Sequence, residues 1–312
     1  MNELRKDYLL ERFAIIAENR GKRPQDFAQN PRETGKKTKK ETTCVFCSGN
    51  EHLTPPETDR IGGRGSRWLL RSFYNKFPAV SRDFPRAFGV HEVLVETPIH
   101  DKPFYKFSKK EVCTAFNFYA RRVRALYNDP EISYVSIFKN EGEKAGCSLA
   151  HAHSQLIALQ RIPRLVDEEL HSFEVRKSSS GKCVFCEIAE KESKSERLIY
   201  EDENLISIAP YASRSPFEVW FIPKRHVAGI TGLNKEELDS LADQLSRILK
   251  KLAQITNSID YNYWLHTAPK AKDFHFHVEL MPRLSIWAGF ELSNDLYINT
   301  MPPEKAARAL KD

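Results

Sequence analysis

Two short motifs occur twice in this 312-residue chain, and both carry side chains that can bind a metal or attack phosphorus. The tetrapeptide CVFC occupies residues 44–47 and again 183–186, and an H-x-H pair follows at 151–153 and at 275–277. Two thiolates three residues apart, combined with imidazoles, are typical ligands of a tetrahedral zinc ion. A neutral imidazole beside such a site is a competent nucleophile toward phosphorus near pH 7.

A further histidine lies between the two motifs in each half of the chain and completes two sets of four ligands. The predicted sets are Cys44, Cys47, His100 and His151 in the first half, and Cys183, Cys186, His226 and His275 in the second. Sites with four side-chain ligands are closed, so they would stabilise the fold rather than activate water. The alternative is that the cysteines are core residues. In the second half, His266, His277 and Glu279 could also serve as ligands.

If His151 binds a metal, His153 is left free beside it. We expect the H-x-H pair to lie on a strand, where side chains two residues apart share one face, together with Gln155. The Gln155 amide can donate a hydrogen bond to a phosphate oxygen. The loop at 140–148 contains two glycines, so its backbone amides could approach a phosphate closely. In the second half Glu279 would repel a phosphate, which favours His153 as the nucleophile. The alternative is a merely polar strand.

The elements around these motifs repeat in the same order, which indicates a duplicated α+β unit. Strand-like stretches follow each CVFC, at 68–80 in the first half and at 198–212 in the second. Capped helical patterns cover 108–129 and 234–255. Each repeat is predicted to be an antiparallel sheet with one main helix. The predicted divisions are 1–163 for the catalytic repeat, 164–182 for a linking helix and turn, and 183–312 for the second repeat.

Composition narrows the class of protein. Apolar residues make up 41% and charged residues 29%, which is typical of a globular protein, and the length allows two domains. No apolar run reaches the ~18 residues of a membrane helix, and no secretory signal is recognisable. We therefore expect a cytoplasmic protein with no membrane partner. The net charge of +6 fits a phosphate-bearing ligand, and the basic run at 35–41 is interpreted as a solvated loop rather than a nucleic-acid site.

The ordered motifs resemble the galactose-1-phosphate uridylyltransferase family of the histidine-triad superfamily, including its ADP-glucose phosphorylase-like members. The resemblance extends over nearly the whole chain. It is carried by ENRGKRP (18–24), RSFYNKFPA (71–79), FKNEG followed by GCSLAHAHSQ (138–155), FHFHVELMPR (274–283) and GFELSNDLYIN (289–299). It implies two histidine-triad-like repeats, each an open half-barrel, with two structural zinc ions and a possible homodimer.

The resemblance also implies a two-step transfer through a covalent nucleotidyl-histidine at His153, with Gln155 binding the transferred phosphoryl group. The residues that it places at the substrate are Arg20, Arg23, Asn75, Phe77, Asn140, Gly146, Ser148, Phe290, Glu291 and Asn299. The partners would be a nucleotide sugar and a sugar phosphate or phosphate, without nucleic acid.

Two reactions of this class are compatible with the motifs. The first is uridylyl transfer between UDP-glucose and galactose 1-phosphate, which would belong to galactose metabolism. The alternative is adenylyl transfer from ADP-glucose or adenylylsulfate to phosphate, because the segment LSNDLYIN lacks the glutamine that the family's best-known uridylyltransferases carry there. The family's H-P-H is H-A-H here. A nucleotide-binding scaffold without turnover is a third hypothesis, from a different class.

Overall fold

The computed structural model describes residues 2–22, 44–63, 65–256 and 259–311. Arg23 and the basic run at 35–41 therefore lie outside the described residues. The largest feature is a ten-stranded sheet to which both halves of the chain contribute. Its strands are β3 (Glu57–Gly62), β4 (Trp68–Tyr74), β5 (Gly89–Val95), β6 (Tyr134–Glu141), β7 (His153–Leu159), β8 (Leu198–Glu201), β9 (Leu205–Ile208), β10 (Val219–Pro223), β11 (Tyr261–His266) and β12 (His277–Pro282).

The order of the strands displays the internal repeat. Across the sheet it is β3-β4-β5-β7-β6 and then β11-β12-β10-β9-β8, so the second half mirrors the first. The inner strands β6 and β11 pair antiparallel, with Lys139 opposite Tyr263. All the other neighbours in this sheet are antiparallel as well. The predicted α+β class with antiparallel sheets is confirmed.

Six α-helices accompany the strands in the described part of the chain. They are α1 (Lys109–Tyr127), α2 (Arg164–Ser180), α3 (Val184–Glu192), α4 (Lys235–Thr256), α5 (Gly289–Asn294) and α6 (Pro303–Leu310). The two long helices begin at the predicted caps. Ser108 Oγ accepts the Glu111 N–H at 3.3 Å, and Asn234 Oδ1 accepts the Glu237 N–H at 2.8 Å. Both glutamates bond back to the cap backbone, which completes a capping box at each helix.

The main core lies between the sheet and the pair α1 and α4, which pack against each other. Apolar residues of both halves form this one cluster. Two smaller clusters contain the CVFC motifs, one around Phe46 and one around Phe185. Among the described residues, no helix has both the length and the apolar character needed to cross a membrane.

A second, three-stranded sheet joins the two ends of the chain. Strands β1 (Glu3–Lys6) and β2 (Phe13–Ile16) form an antiparallel pair, and β13 (Leu296–Asn299) adds to β2 in parallel. The Arg5 guanidinium also donates to Glu304 at 2.8 Å. The first strands of the chain therefore pack against its C-terminal part, which the repeat pattern does not predict.

Two predicted strands are shorter than expected. The stretch at 68–80 leaves the sheet after Tyr74, because Asn75 Oδ1 accepts the Phe77 N–H at 2.9 Å and Pro78 has no N–H for a ladder. The H-x-H pair was also expected to lie wholly on a strand, but β7 begins only at His153, the partner of the last residue of β5, Val95.

Candidate active site

The first predicted ligand set comes together in the fold. Cys47 Sγ lies 3.3 Å from His100 Nδ1, and His151 Nδ1 lies 3.7 Å from both cysteine sulfurs. Ligands at zinc's usual bond lengths in a tetrahedron would be about 3.5 Å apart, so these distances fit a zinc-sized cation. His151 Nε2 is 2.6 Å from the Thr97 carbonyl, which fixes Nδ1 as the metal-facing nitrogen.

The second predicted set has the same arrangement. His275 Nδ1 lies 3.3 Å from Cys183 Sγ and 3.5 Å from Cys186 Sγ, and His226 Nδ1 lies 4.0 Å from Cys186 Sγ. His275 Nε2 is 2.8 Å from the Pro223 carbonyl, and His226 Nε2 is 2.9 Å from Asp273 Oδ1. The ligand atoms of both clusters are therefore close enough together to hold a metal ion.

The alternative ligands of the second half form a separate cluster. His266, His277 and Glu279 lie together, and the ring of His266 stacks on that of His277 at 4.2 Å. Glu279 pairs with the buried Arg214, and His266 Nδ1 is 2.9 Å from Glu169 Oε2. Burial of these ionisable side chains is tolerated because each of them has a charged or hydrogen-bonding partner within the protein.

His153 opens strand β7 directly beside the first cysteine cluster. Its Nδ1 lies 2.8 Å from the His151 carbonyl, so Nδ1 carries the hydrogen and Nε2 keeps a lone pair. Within the described residues, Nε2 has no hydrogen-bond partner. The side chain of Phe46 contacts both rings, with centroids 5.2 Å from His153 and 6.1 Å from His151. Burial lowers the pKa of His153, which favours the neutral, nucleophilic form.

A buried charged network supports the backbone of His153 from the other face of the sheet. Lys139 Nζ donates to the His153 carbonyl at 3.0 Å and to Glu96 Oε2 at 2.6 Å. The second oxygen of Glu96 accepts from the hydroxyls of Tyr119 and Ser154. The Lys139 and Glu96 side chains are both wholly buried, and neither was singled out from the sequence.

Gln155 lies two residues beyond His153 on β7, and its partner is a residue that the sequence did not single out. His91 Nε2 is 2.9 Å from Gln155 Oε1, while His91 Nδ1 accepts the Ala79 N–H at 3.1 Å. His91 therefore joins Gln155 to the loop that contains Asn75 and Phe77. A cavity of about 440 Å³ opens at this place, lined by His91, Asn75 and their neighbours. Phe77 is 82% exposed.

The predicted phosphate loop follows β6. Gly142 and Gly146 have φ values of +86° and +80°, which suit glycine, and Ser148 is exposed. Asp260 accepts the Lys144 N–H at 3.0 Å, and a Cβ on Gly142 would lie 2.0 Å from an Asp260 oxygen. Asn140, at the start of the loop, pairs with Asn262 of β11. The second repeat thus supports a loop of the first.

The equivalent place in the second repeat is filled by side chains. Phe185 stacks on His277 at 4.3 Å and Trp220 lies 5.6 Å away, while Tyr8 packs on Trp220 at 5.7 Å. His277 is only 1% exposed. Charge repulsion by Glu279, the reason expected from the sequence, is weakened by its pairing with Arg214. Packing keeps a ligand from His277.

The other predicted substrate residues lie apart from the strands β5 and β7. Arg20 is half-buried in a short 3₁₀ turn at Glu18–Lys22. Phe290 and Glu291 lie on α5, where Glu291 accepts the Ala288 N–H at 2.9 Å. Asn299 is wholly buried, and its amide binds the carbonyls of Ser213 and Ser215 and the Met301 N–H. These bonds join Asn299 to the backbone of two other segments, and its predicted contact with substrate stays a prediction.

Comparison with known proteins adds an independent finding. A family model described as a domain of unknown function (DUF4921) matches residues 103–311, and the N-terminal domain of another (DUF4931) matches 29–162. An ADP-glucose phosphorylase of Arabidopsis thaliana is 32% identical over 99% of this chain and 92% of its own length. A galactose-1-phosphate uridylyltransferase of Thermotoga maritima is 28% identical over 100% of this chain and 98% of its own length. The crystal structure of an Arabidopsis thaliana ADP-glucose phosphorylase with bound ADP-glucose, 31% identical, superposes with a TM-score of 0.88 and covers 100% of this chain and 99% of its own.

Proposed function

The chain belongs to the galactose-1-phosphate uridylyltransferase family, which includes ADP-glucose phosphorylase, and we propose that it transfers a nucleotidyl group from a nucleotide sugar through a covalent bond to His153. The chain is thus an enzyme of the nucleotidyltransferase class. The observation that carries the choice of residue is the state of the His153 ring. Its Nδ1 is held by the His151 carbonyl at 2.8 Å, which leaves the Nε2 lone pair for attack.

The reaction balances without an added base. The Nε2 lone pair forms a bond to the α-phosphorus, and the bond from that phosphorus to the bridging oxygen breaks, which releases a sugar phosphate. The ring then carries a positive charge, which the His151 carbonyl stabilises at Nδ1. In the second step an oxygen of the acceptor phosphate attacks the same phosphorus, and Nε2 regains its lone pair.

The surrounding groups would hold the phosphates. We propose that Gln155, Asn140 and Ser148 donate to phosphate oxygens, and that Gly146 lets the loop backbone approach them. Asn75 would contact the nucleoside, because it lines the cavity beside His91. We propose the same role for Phe77, which is exposed two residues further along the same loop. Donors fixed in place before the reaction stabilise the developing charge most effectively.

Two nucleotide sugars are candidate donors of the nucleotidyl group. The sequence favours UDP-glucose with galactose 1-phosphate as acceptor, and the Thermotoga maritima relative carries that name. The higher identity of the Arabidopsis thaliana relative, 32% against 28%, favours ADP-glucose with phosphate as acceptor. We therefore propose ADP-glucose and UDP-glucose as the pair of donors to compare, with adenylylsulfate as a further one.

The experiment is mass spectrometry of the intact protein after brief mixing with each donor. We expect an adduct of one AMP or one UMP per chain, which identifies the base. The adduct should be absent from His153→Ala and present in His171→Ala, which removes an exposed histidine of α2 that belongs to neither cysteine cluster. An adduct that persists in His153→Ala would refute the assignment.

We propose that both cysteine clusters bind zinc, so that each chain holds two ions. Four side-chain ligands leave no open position, and a zinc ion bound there would fix His151 and the start of β7. Metal analysis of the purified protein tests the identity and the number. The division at 164–182, the location in the cytoplasm, the role in galactose metabolism and the homodimer stay predictions.

A further inference from the structure

Three of the residues proposed to contact the nucleotide, Gln155, Asn140 and Asn75, have amide side chains, and an amide can face a ligand with either end. Phosphate oxygens only accept hydrogen bonds, so an amide helps only when its NH₂ group points toward them. If the amide group were rotated by 180°, its oxygen would face the phosphate and repel it. A donor of the protein that hydrogen-bonds to the amide oxygen therefore determines whether the NH₂ group faces the phosphate.

We propose that His91 and Asn262 are positioning residues that turn the NH₂ groups of Gln155 and Asn140 toward the nucleotide phosphates. This inference rests on the proposed function, because it takes Gln155 and Asn140 as phosphate-binding groups. It goes beyond that function in assigning specific roles to a buried histidine of β5 and to an asparagine of the second repeat.

The orientation of Gln155 follows from an unambiguous backbone donor. The Ala79 N–H can only donate, so His91 Nδ1, 3.1 Å away, is an acceptor and carries no hydrogen. Burial lowers the pKa of His91, which keeps the ring neutral, and its one hydrogen must then be on Nε2. The Gln155 atom 2.9 Å from Nε2 must accept that hydrogen, so it is the oxygen. The Gln155 NH₂ group therefore faces away from His91.

The orientation of Asn140 follows in the same way from a backbone acceptor. The Ala145 carbonyl can only accept, so the Asn262 atom 2.9 Å from it is the nitrogen. The same nitrogen lies 2.7 Å from Asn140, whose facing atom must then be the oxygen. Both hydrogens of the Asn262 NH₂ group are used by these two bonds. The Asn140 NH₂ group makes no hydrogen bond within the described residues.

A third amide has its oxygen occupied by the backbone alone. Asn75 Oδ1 accepts the Phe77 N–H at 2.9 Å, so this amide is oriented without help from another side chain. Its nitrogen lies 3.2 Å from His91 Nε2, but both atoms carry hydrogens, so this contact is not a hydrogen bond. All three amides thus have their oxygens held by donors of the protein.

The test measures binding and transfer separately in four variants. His91→Leu removes the donor to Gln155, whereas His91→Gln can supply both a donor for Gln155 and an acceptor for Ala79. Asn262→Ala removes the donor to Asn140, and Asn262→Asp replaces it with a carboxylate that attracts the Asn140 NH₂ group. Calorimetry gives the affinities for UDP, ADP, uridine and adenosine, and thermal unfolding shows that each variant is folded.

We expect His91→Leu, Asn262→Ala and Asn262→Asp each to weaken binding of the preferred nucleoside diphosphate by about ten-fold or more, since a hydrogen bond to a charged group is lost. Affinity for the matching nucleoside should change by less than about two-fold in the Asn262 variants. In His91→Leu it should fall by much less than the diphosphate affinity, although this change also removes the acceptor of the Ala79 N–H. His91→Gln should restore most of the diphosphate affinity. In a Gln155→Ala background, His91→Leu should cause little further loss of diphosphate affinity, because the amide that His91 orients is absent.

Equal losses for nucleoside and diphosphate, or an undiminished effect of His91→Leu in Gln155→Ala, would show a general structural role and overturn the inference. Retained diphosphate affinity in folded His91→Leu and Asn262→Ala would also overturn it, as would a protein that binds neither diphosphate. Failure of the proposed function looks different. The wild-type protein would bind the diphosphates with the expected pattern across variants, yet form no adduct on His153.

Discussion

Replacing Lys139 by methionine is a strong test of the network beneath His153. The Lys139 ammonium is wholly buried and lies 2.6 Å from Glu96 Oε2, 3.2 Å from Glu141 Oε2 and 3.0 Å from the His153 carbonyl. Burial lowers the pKa of Lys139, but the charges of Glu96 and Glu141 outweigh this effect and raise the pKa above its ordinary value. The lysine is therefore charged throughout the physiological pH range.

The substitution should cost about 3–5 kcal/mol of the free energy of unfolding, because it leaves Glu96 buried without its cation. A matched exposed pair provides the control. Lys235 and Asp239 are 2.7 Å apart, with 80% and 35% of their side chains exposed, so Lys235→Met should leave the free energy of unfolding almost unchanged. The contrast between two lysine-to-methionine changes isolates the effect of burial.

Urea denaturation, followed by intrinsic fluorescence, measures both changes. The double variant Lys139→Met/Glu96→Gln should be less destabilised than Lys139→Met alone, since the neutral amide needs no counter-ion. The rate of adduct formation on His153 should also fall in Lys139→Met, because the His153 carbonyl loses its donor. If Lys139→Met cost no more than Lys235→Met, the account of a charge-compensated network would be wrong.

Three further perturbations have defined outcomes. Cys44→Ser should release one of two bound metal ions, as metal analysis would show, and should also reduce the adduct on His153. Gly142→Ala should strongly lower the free energy of unfolding, because its new methyl group would meet the Asp260 carboxylate. Gly146→Ala has open space around it and should cost only ~1–2 kcal/mol of backbone strain. Urea denaturation of the two variants distinguishes these effects. Burial raises the pKa of Glu304, but hydrogen bonds from Arg5, from its own backbone N–H and from Arg197 outweigh this effect and lower the pKa. The stability that Glu304 contributes should therefore be present above about pH 4.5 and lost as the pH falls further. Urea denaturation should show that Glu304→Gln destabilises the protein at pH 7 much more than at pH 3.

The sequence predicts the parts of the site that depend on local spacing or on repetition. Each C-x-x-C motif brings two thiolates together within one turn, and finding the same ligand order twice identified His100 and His226 across long separations. The caps Ser108 and Asn234 were also predictable, because a capping box needs only residues three positions apart. The antiparallel repeats followed from the order of strands and helices.

What the sequence could not predict depends on which strands become neighbours. His91 meets Gln155 only because β5 pairs with β7, and Asn262 meets Asn140 only because β11 pairs with β6. Nothing in the local pattern of HEVLVE distinguishes a histidine that orients an amide from one exposed on an edge. Finding His91 would have required a prediction that β5 pairs with β7, and finding Asn262 a prediction that β6 pairs with β11.

The two repeats have diverged in what they do, while remaining one sheet. In the second repeat Phe185 and Trp220 cover His277, so its H-x-H pair keeps only the histidine of the cysteine cluster, His275, in the place proposed for it. The same repeat places Asp260 and Asn262 against the phosphate loop of the first. An isolated first repeat would lack both contacts, and its loop would have no donor to orient Asn140. In the proposed function, the second repeat therefore contributes to the active site of the first through the strand pair β6 and β11, rather than as a second catalytic centre.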